Sequence, residues 1–493
     1  MSRIYALSTG VVVLGKLSGF ARGVLFASFL GTSIALDAYN GMLVIAGAVV
    51  FIAADQFELL TSAETAIEHA KGDGPFRAYV SQAVTIAAAV GVALGILAQV
   101  LMPMLAPVLV PGVRGAPDLA LGPLSFMLLP LVILHIPSRV MAALLRGSER
   151  APLSILLDGL QGLGFLGFGF AALMCLGGHS DSTKVLGVAL SQSAGLIGVV
   201  LTQFVILWRS SDGSPLRWES LRAALPFGRR LAVISGLNGL NYGFTLIDRH
   251  FAAKVVTGGL SLVNYAGNIS LTLRAAVAYD HLYVVEFSKS RERAKSYAGA
   301  VVTCLWLTAP LCGVLPVFAQ DMVRIVFQRG QFTAEMAAHT GGVLAVYGGF
   351  TTGFLLWQLM FRILQLENCL RSMYGAYVVA LLVSLAVTPF AVARLGLPGA
   401  ICGTVAGTFC LLSAGTWLLH RSGVTLFPAR RLAGAAALAG YAWLVAEIMR
   451  TWVASSSAAN SLAAMGGAGM IAYLPTAVWW WWRRDSVTAA ATT

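Results

Sequence analysis

Two cations lie inside the first long apolar segment of the chain, where hydrocarbon should surround the backbone. Lys16 and Arg22 belong to the stretch GKLSGFARG at residues 15–23. A charged side chain at mid-bilayer costs roughly 2.5–3.5 kcal/mol on insertion scales. The two are six positions apart, which places them about 9 Å apart along a helix axis and about 120° apart around it. This placement suits a water-filled cavity with an anionic ligand, because Arg and Lys both bind phosphate.

A structural role for the same cations is the alternative. Lys16 and Arg22 can pair with acids of the second apolar segment, where Asp37 and Asp55 are the candidates. The two roles can coexist, because an acid can orient a cation that still contacts a ligand.

A second set of charged residues occupies the seventh and eighth apolar segments. Asp248 and Arg249 are adjacent and project about 100° apart, so we expect them to find partners on other helices. Arg274 and Asp280 are six residues apart, and Arg274 is expected to face either the cavity or an acid of its own bundle. His250 and His281 flank these charges, and either is a candidate proton relay. The residues that can form a coupling or charge network are Asp55, Asp248, Arg249, Asp280 and His281.

The composition places these charges in a membrane. Of 493 residues, 58% are hydrophobic and only 11% are charged, and the mean hydropathy is +0.79. A soluble domain of this length needs far more charge to cover its surface. The sequence therefore predicts an all-α polytopic membrane protein, with its first span at the N-terminus and no cleavable signal.

Catalytic motifs are missing from the sequence. We find no Walker-type phosphate loop, GxSxG elbow or HExxH pair, which argues against an enzyme. The six cysteines lie in or beside apolar stretches without a CxxC pair, so they indicate packing residues and no metal site. We expect no cofactor, although transport can be coupled to a proton, another monovalent ion or the membrane potential.

Fourteen apolar segments predict fourteen transmembrane helices, near 4–31, 35–57, 78–110, 119–145, 152–177, 184–208, 231–254, 259–288, 296–327, 335–365, 371–394, 396–420, 431–449 and 461–482. The longest polar connector, 209–230, lies near the middle of the chain. We predict a six-helix bundle at 1–208, a cytoplasmic connector at 209–230, a second six-helix bundle at 231–420, and two additional helices within 421–493. Two six-helix bundles around a central cavity are typical of transporters built from repeats.

The distribution of basic residues predicts the orientation. With the N-terminus inside, 22 of the 33 Lys and Arg residues fall on the cytoplasmic side and 7 on the other, the rest being intramembrane. This asymmetry places both termini in the cytoplasm. The formal charge of +12 is therefore a topology signal, and we expect no nucleic-acid partner.

Three motifs resemble a known family. The stretch LGKLSGFARGVLFASFLGTSIALDAYN at 14–40 resembles the opening of the MurJ (MviN) lipid II flippases, whose pattern runs S-R-x-L-G-F-x-R and continues to D-A-F. The stretch LIDRHFAAKVVTGGLSLVNYAGNI at 246–269 is similar to their seventh-to-eighth span joint. VFQRGQFTAE at 326–335 is similar to their F-x-R-G-x-F-T loop. The matches occur in the family's order over nearly the whole chain.

The resemblance implies a fold of the multidrug, oligosaccharidyl-lipid and polysaccharide exporter superfamily, with alternating access and two extra helices that form a groove for a lipid tail. It implies that Lys16 and Arg22 match two family arginines that bind substrate, and that Asp37 matches a family acid. Two family arginines are absent, because their positions fall at Val50 and Asn268. Arg274, under two turns after Asn268, is the candidate to compensate.

These observations predict a flippase in the bacterial cytoplasmic (inner) membrane that moves undecaprenyl-pyrophosphate-linked peptidoglycan precursor, lipid II, to the outer leaflet. Alternatives are a flippase for a lipid-linked exopolysaccharide or another polyprenyl-linked glycan, a multidrug antiporter, and a non-transporting scaffold of a synthase complex. An organic-cation antiporter needs acids in its cavity, where this chain offers cations. The expected partners are the lipid-linked saccharide, membrane lipids, and cell-wall or polysaccharide synthase proteins.

Overall fold

The computed structural model describes residues 2–116, 118–210, 224–277, 293–367, 369–421, 423–424, 426, 429–452 and 458–491. Within these ranges the chain is almost wholly helical, and they contain no β-strand. The all-α prediction is therefore confirmed for the described part of the chain.

The first nine helices run from the N-terminus through the predicted seventh-to-eighth span joint. They are α1 (Ser2–Leu30), α2 (Ile34–Ala46), α3 (Ile52–Ala70), α4 (Asp73–Leu109), α5 (Leu121–Leu145), α6 (Ala151–Cys175), α7 (Asp181–Ser210), α8 (Ala224–Val255) and α9 (Gly259–Val277). Single π-helical turns at Gly47–Phe51 and Arg146–Arg150 join α2 to α3 and α5 to α6.

Seven further helices complete the described chain. They are α10 (Arg293–Phe327), α11 (Ala334–Gly349), α12 (Thr351–Leu366), α13 (Met373–Leu395), α14 (Gly399–Arg421), α15 (Ala429–Trp452) and α16 (Ala458–Ala491).

Local sequence signals set several helix boundaries. The hydroxyl of Ser33 accepts a hydrogen bond from the Leu36 N–H and caps α2, and Thr333 caps α11 through the Met336 N–H in the same way. Gly31 between α1 and α2 has a φ of 57°, a left-handed conformation that glycine adopts without strain.

Ten helical segments of the described chain are long and apolar enough to cross a membrane. The number rises to eleven when α11 and α12, which meet at an angle of 51°, form one bent span. The structure is therefore that of a polytopic membrane protein. Within the searched part of α1, Leu17–Leu30 is a shorter apolar helical stretch. The count of fourteen spans stays a prediction.

The chain divides into two compact units. The first comprises Met1–Ser261 together with Arg329–Phe332, and the second comprises Leu262–Gln328 and Thr333–Thr493. Most of the predicted connector 209–230 lies outside the described residues, and the predicted domain boundaries stay predictions.

Within the second unit, α15 and α16 pack against α10. Small residues on α15 and α16 allow this close approach, and the Tyr473 hydroxyl donates a hydrogen bond to the Leu307 carbonyl at 2.9 Å. The buried residues of this cluster are Val314, Val317, Phe318, Ala442, Ala446, Ala464, Ala468 and Ala472.

Candidate functional site

Helix α1 packs closely against α6 at the helical turn that precedes Arg22. A Cβ atom built on Gly162 of α6 would lie 2.5 Å from the Ser18 Oγ and 3.3 Å from the Gly15 carbonyl oxygen. The Ser18 hydroxyl itself donates to that carbonyl at 2.7 Å. Small residues on both helices therefore allow the two backbones to approach closely, as they do in many membrane bundles.

Arg22 lies half-buried on α1, in the first unit. Its guanidinium Cζ is 5.9 Å from the centroid of the Phe165 ring on α6, a geometry that attracts a cation to the ring face. Across the described residues, no acidic side chain lies within ion-pair distance of Arg22. Its positive charge is therefore not neutralised by a carboxylate there. Lys16 lies 6 positions earlier on α1 and is described through its backbone.

Tyr39 on α2 is a neighbour of Arg22 that the sequence motifs did not single out. The side chain is 1% exposed, and the positive charge of Arg22 is close enough to act on its hydroxyl. The hydroxyl has no hydrogen-bond partner among the described residues. The Tyr39 ring packs edge-on against Phe26 with a centroid separation of 6.2 Å.

Asp37 binds the first turn of α9. Its carboxylate accepts hydrogen bonds from the Ser261 N–H at 2.8 Å and from the Ser261 hydroxyl at 2.5 Å. The Asn40 side-chain amide donates to the same hydroxyl at 3.1 Å. Asp37 is only 2% exposed, and a carboxylate is favourable beside the free N–H groups of a helix N-terminus. The structure thus gives Asp37 a structural partner within the first unit.

Asp55 lies beside a carboxylate–guanidinium network between α3, α5 and α6. Glu58 pairs with Arg146, and its other oxygen lies 3.5 Å from an Arg139 Nη. Arg146 is also 3.7 Å from Asp158, and its Nε donates to the Ser154 hydroxyl at 3.2 Å. Asp55 itself is exposed, and the charge of Arg139 acts on it. Glu58 is the central acid of this network, and the sequence motifs did not single it out.

Asp248 and Arg249 lie on α8, in the first unit. Asp248 is 4% exposed. The guanidinium Nε and one Nη of Arg249 are buried and have no hydrogen-bond partner within the described chain. Two other residues of the predicted charge network, Asp280 and His281, lie outside the described residues.

Arg274 and Asn268 lie on α9, in the second unit. The Arg274 guanidinium stands 4.9 Å from the centroid of the Phe354 ring on α12, and its Nε donates to the Ser270 carbonyl at 3.4 Å. In the described residues Arg274 has no ion-pair partner. Arg22 and Arg274 therefore share one arrangement, a guanidinium on an aromatic face with no neutralising acid among the residues that the structure describes. The aromatic partners, Phe165 and Phe354, belong to no sequence motif by which they could have been predicted.

Comparisons with known proteins agree with the sequence motifs. The chain is 27% identical over 327 residues to a protein of Rhizobium meliloti (strain 1021) described as a probable lipid II flippase MurJ. A solved structure of the lipid II flippase MurJ in an inward closed conformation matches with a TM-score of 0.79 at 15% identity, covering 99% of this chain and 100% of that one. The chain is MurJ-like in sequence and in fold. The resemblance seen in the three motifs is confirmed.

The extent of the sequence match is limited. It covers 62% of this chain and 61% of the Rhizobium MurJ, less than two thirds of that relative. No family model matches the chain. A multidrug-resistance MATE family transporter in an inward-facing conformation also shares the fold, with a TM-score of 0.64 at 14% identity over 85% of this chain.

The prediction that Val50 and Asn268 stand where the MurJ pattern has arginines stays a prediction. Val50 is fully buried in the π turn before α3. No group of three or more His, Cys, Asp or Glu side chains that could hold a metal ion occurs in the part of the chain that was searched.

Proposed function

We propose that the chain is a flippase that moves lipid II, an undecaprenyl-pyrophosphate-linked peptidoglycan precursor, from the cytoplasmic to the outer leaflet by alternating access. The observation that carries this proposal is Arg22, a cation in a helix of a polytopic MurJ-like protein without a carboxylate partner in the described structure. Such a cation is costly in a membrane and is typical of a substrate pathway.

In this proposal the headgroup binds and the lipid tail stays in the bilayer. Arg22 would hold pyrophosphate oxygens through two parallel N–H donors, and Lys16 would add a point charge. Arg274 would supply a further cation, in place of the family arginine predicted at the position of Asn268. We further propose fourteen spans, both termini in the cytoplasm, and residence in the bacterial inner membrane.

Moving a lipid between leaflets involves no change of covalent bonds, so the protein would be a transporter and not an enzyme. The energy for a cycle would come from a proton, another monovalent ion or the membrane potential. Candidates for the coupling are Asp55 beside the Glu58 network, the buried Asp248, and the half-buried Arg249 next to it in sequence. Synthase proteins that use the flipped saccharide are possible partners.

Val50 favours a second candidate, a flippase for an exopolysaccharide repeat unit or another polyprenyl-linked glycan. A fully buried valine at a family arginine removes one donor for the headgroup. This substrate and lipid II would both contain the polyprenyl pyrophosphate, and they would differ in the saccharide.

Complementation tests the first candidate against the second. A bacterium depleted of its lipid II flippase should regain growth and outer-leaflet lipid II when it expresses this chain. Expression without rescue, together with outer-leaflet accumulation of another polyprenyl-linked glycan in reconstituted vesicles, would favour the second candidate. No transport of either substrate by folded protein would contradict both.

A further inference from the structure

The Tyr39 hydroxyl is a buried polar group with no partner in the described structure. Buried hydroxyls are nearly always hydrogen-bonded, because leaving one unpaired removes it from water without compensation. Phenylalanine fills the same space without that cost. The hydroxyl is thus an added group that destabilises this conformation, which suggests a role in another one.

Among the described residues, the charge that acts on this hydroxyl is that of Arg22, which lies one turn before Phe26, the residue against which the Tyr39 ring packs. In the present arrangement the guanidinium lies at the Phe165 face, 5.9 Å from the ring centroid, and makes no ion pair with any described acid. A guanidinium has five N–H donors, and a phosphate takes two of them in a parallel pair. The other guanidinium donors can bond to a second acceptor, which would fix the plane of the guanidinium.

A tyrosine hydroxyl suits this second task better than a carboxylate does. A carboxylate would fix the guanidinium but would also neutralise it, and the attraction for an anion would fall. A neutral oxygen accepts one N–H and leaves the positive charge available to the ligand.

We propose that Tyr39 is a positioning residue for Arg22. Its hydroxyl accepts an N–H of the guanidinium when Arg22 turns toward a pyrophosphate headgroup, and it thereby orients a parallel pair of the remaining donors toward the phosphate oxygens. The inference rests on the proposed function, since it concerns the same headgroup. It adds a residue that neither the motifs nor the comparisons assign.

The test measures binding of undecaprenyl pyrophosphate to the detergent-purified full chain. Tyr39→Phe removes only the hydroxyl, so affinity should fall about tenfold, the size expected for one hydrogen bond to a charged group. The thermal midpoint should stay equal to that of the wild type or rise, because an unpaired buried hydroxyl is removed. Tyr377→Phe, at a buried tyrosine on α13 whose hydroxyl bonds to Trp357, is the control for the same substitution away from Arg22 and should leave the affinity unchanged.

A double-mutant cycle separates positioning from general packing. Arg22→Lys keeps the charge but has no planar fork to orient. In that background Tyr39→Phe should therefore cause little further loss of affinity. Unchanged affinity of Tyr39→Phe alone, or the same loss in both backgrounds, would overturn the assignment of Tyr39. A wild-type protein that does not bind the probe would instead overturn the proposed function, and the inference with it.

Discussion

The carboxylate of Asp37 accepts both the backbone N–H of Ser261, at 2.8 Å, and its hydroxyl, at 2.5 Å. The two residues are 224 positions apart in sequence. Asp37 thus stabilises a helix N-terminus supplied by a distant part of the chain. Its negative charge and its lone pairs are both in use, so its first effect should be on stability.

Asp37→Ala should lower the free energy of unfolding by about 1–3 kcal/mol, because it leaves a buried N–H and hydroxyl unpaired. Asp37→Asn should cost less, since its amide oxygen still accepts one bond. The measurement is a thermal denaturation of the purified protein in detergent. Ser261→Ala is the control, because it removes the hydroxyl bond and keeps the N–H bond. Wild-type stability of Asp37→Ala would show that the acid acts elsewhere.

The Glu58 network offers a second stability prediction. Glu58→Gln removes the acid shared by Arg139 and Arg146, and leaves Arg146 with only the longer contact to Asp158. Since the Glu58 side chain is 17% exposed, we expect a loss of roughly 1–3 kcal/mol, between the values for surface and buried pairs.

An exposed ion pair in the same unit provides the comparison. Lys71→Ala breaks the pair with Glu68, in which the Lys71 side chain is 56% exposed, and should change stability by about 0.5 kcal/mol or less. Thermal denaturation of both variants checks the difference. Equal effects of the two substitutions would contradict the central position of Glu58.

Arg274 should compensate for the arginine missing at Asn268. Arg274→Ala is expected to reduce flipping strongly, and Asn268→Arg introduced into that variant should restore part of it, because a cation returns to the same helix under two turns away. Transport is measured as headgroup accessibility in the outer leaflet of reconstituted vesicles, normalised to folded protein. Asn268→Gln is the uncharged control. Rescue by Gln as well as by Arg would refute a requirement for charge.

The sequence predicted the elements that depend on composition and spacing, and missed those that depend on packing. The length of the apolar segments and the low content of charged residues indicated a polytopic helical membrane protein, and Lys16 and Arg22 predicted a cationic cavity within it. The partner of Asp37 could not be predicted, because nothing local marks Ser261 as the hydrogen-bond donor to its carboxylate. Tyr39, Phe165 and Phe354 lie in apolar segments where aromatic residues are expected as packing, so only their positions beside arginines distinguish them.

Substitutions at Lys16 and Arg22 test the basis of the proposed function. If positive charge is what transport requires, Lys16→Arg should be tolerated and should match the family residue. Arg22→Lys should retain part of the activity, since it keeps the charge and loses the two-donor fork. Arg22→Ala should abolish transport while folded yield stays near that of the wild type, because removing a cation lowers the cost of insertion.

A purely structural salt bridge predicts a different pattern for the same residues. Arg22→Ala would then lower the folded yield, and neutralising its acid, as in Asp55→Asn, would restore it. The observed contacts disfavour such a salt bridge, because the Asp37 carboxylate accepts hydrogen bonds from Ser261 and no described acid contacts Arg22. The outer-leaflet headgroup assay, normalised to folded protein, distinguishes the two patterns. Full transport by the double variant Lys16→Ala, Arg22→Ala would rule out a cationic headgroup site on α1, since no positive charge would remain at either position.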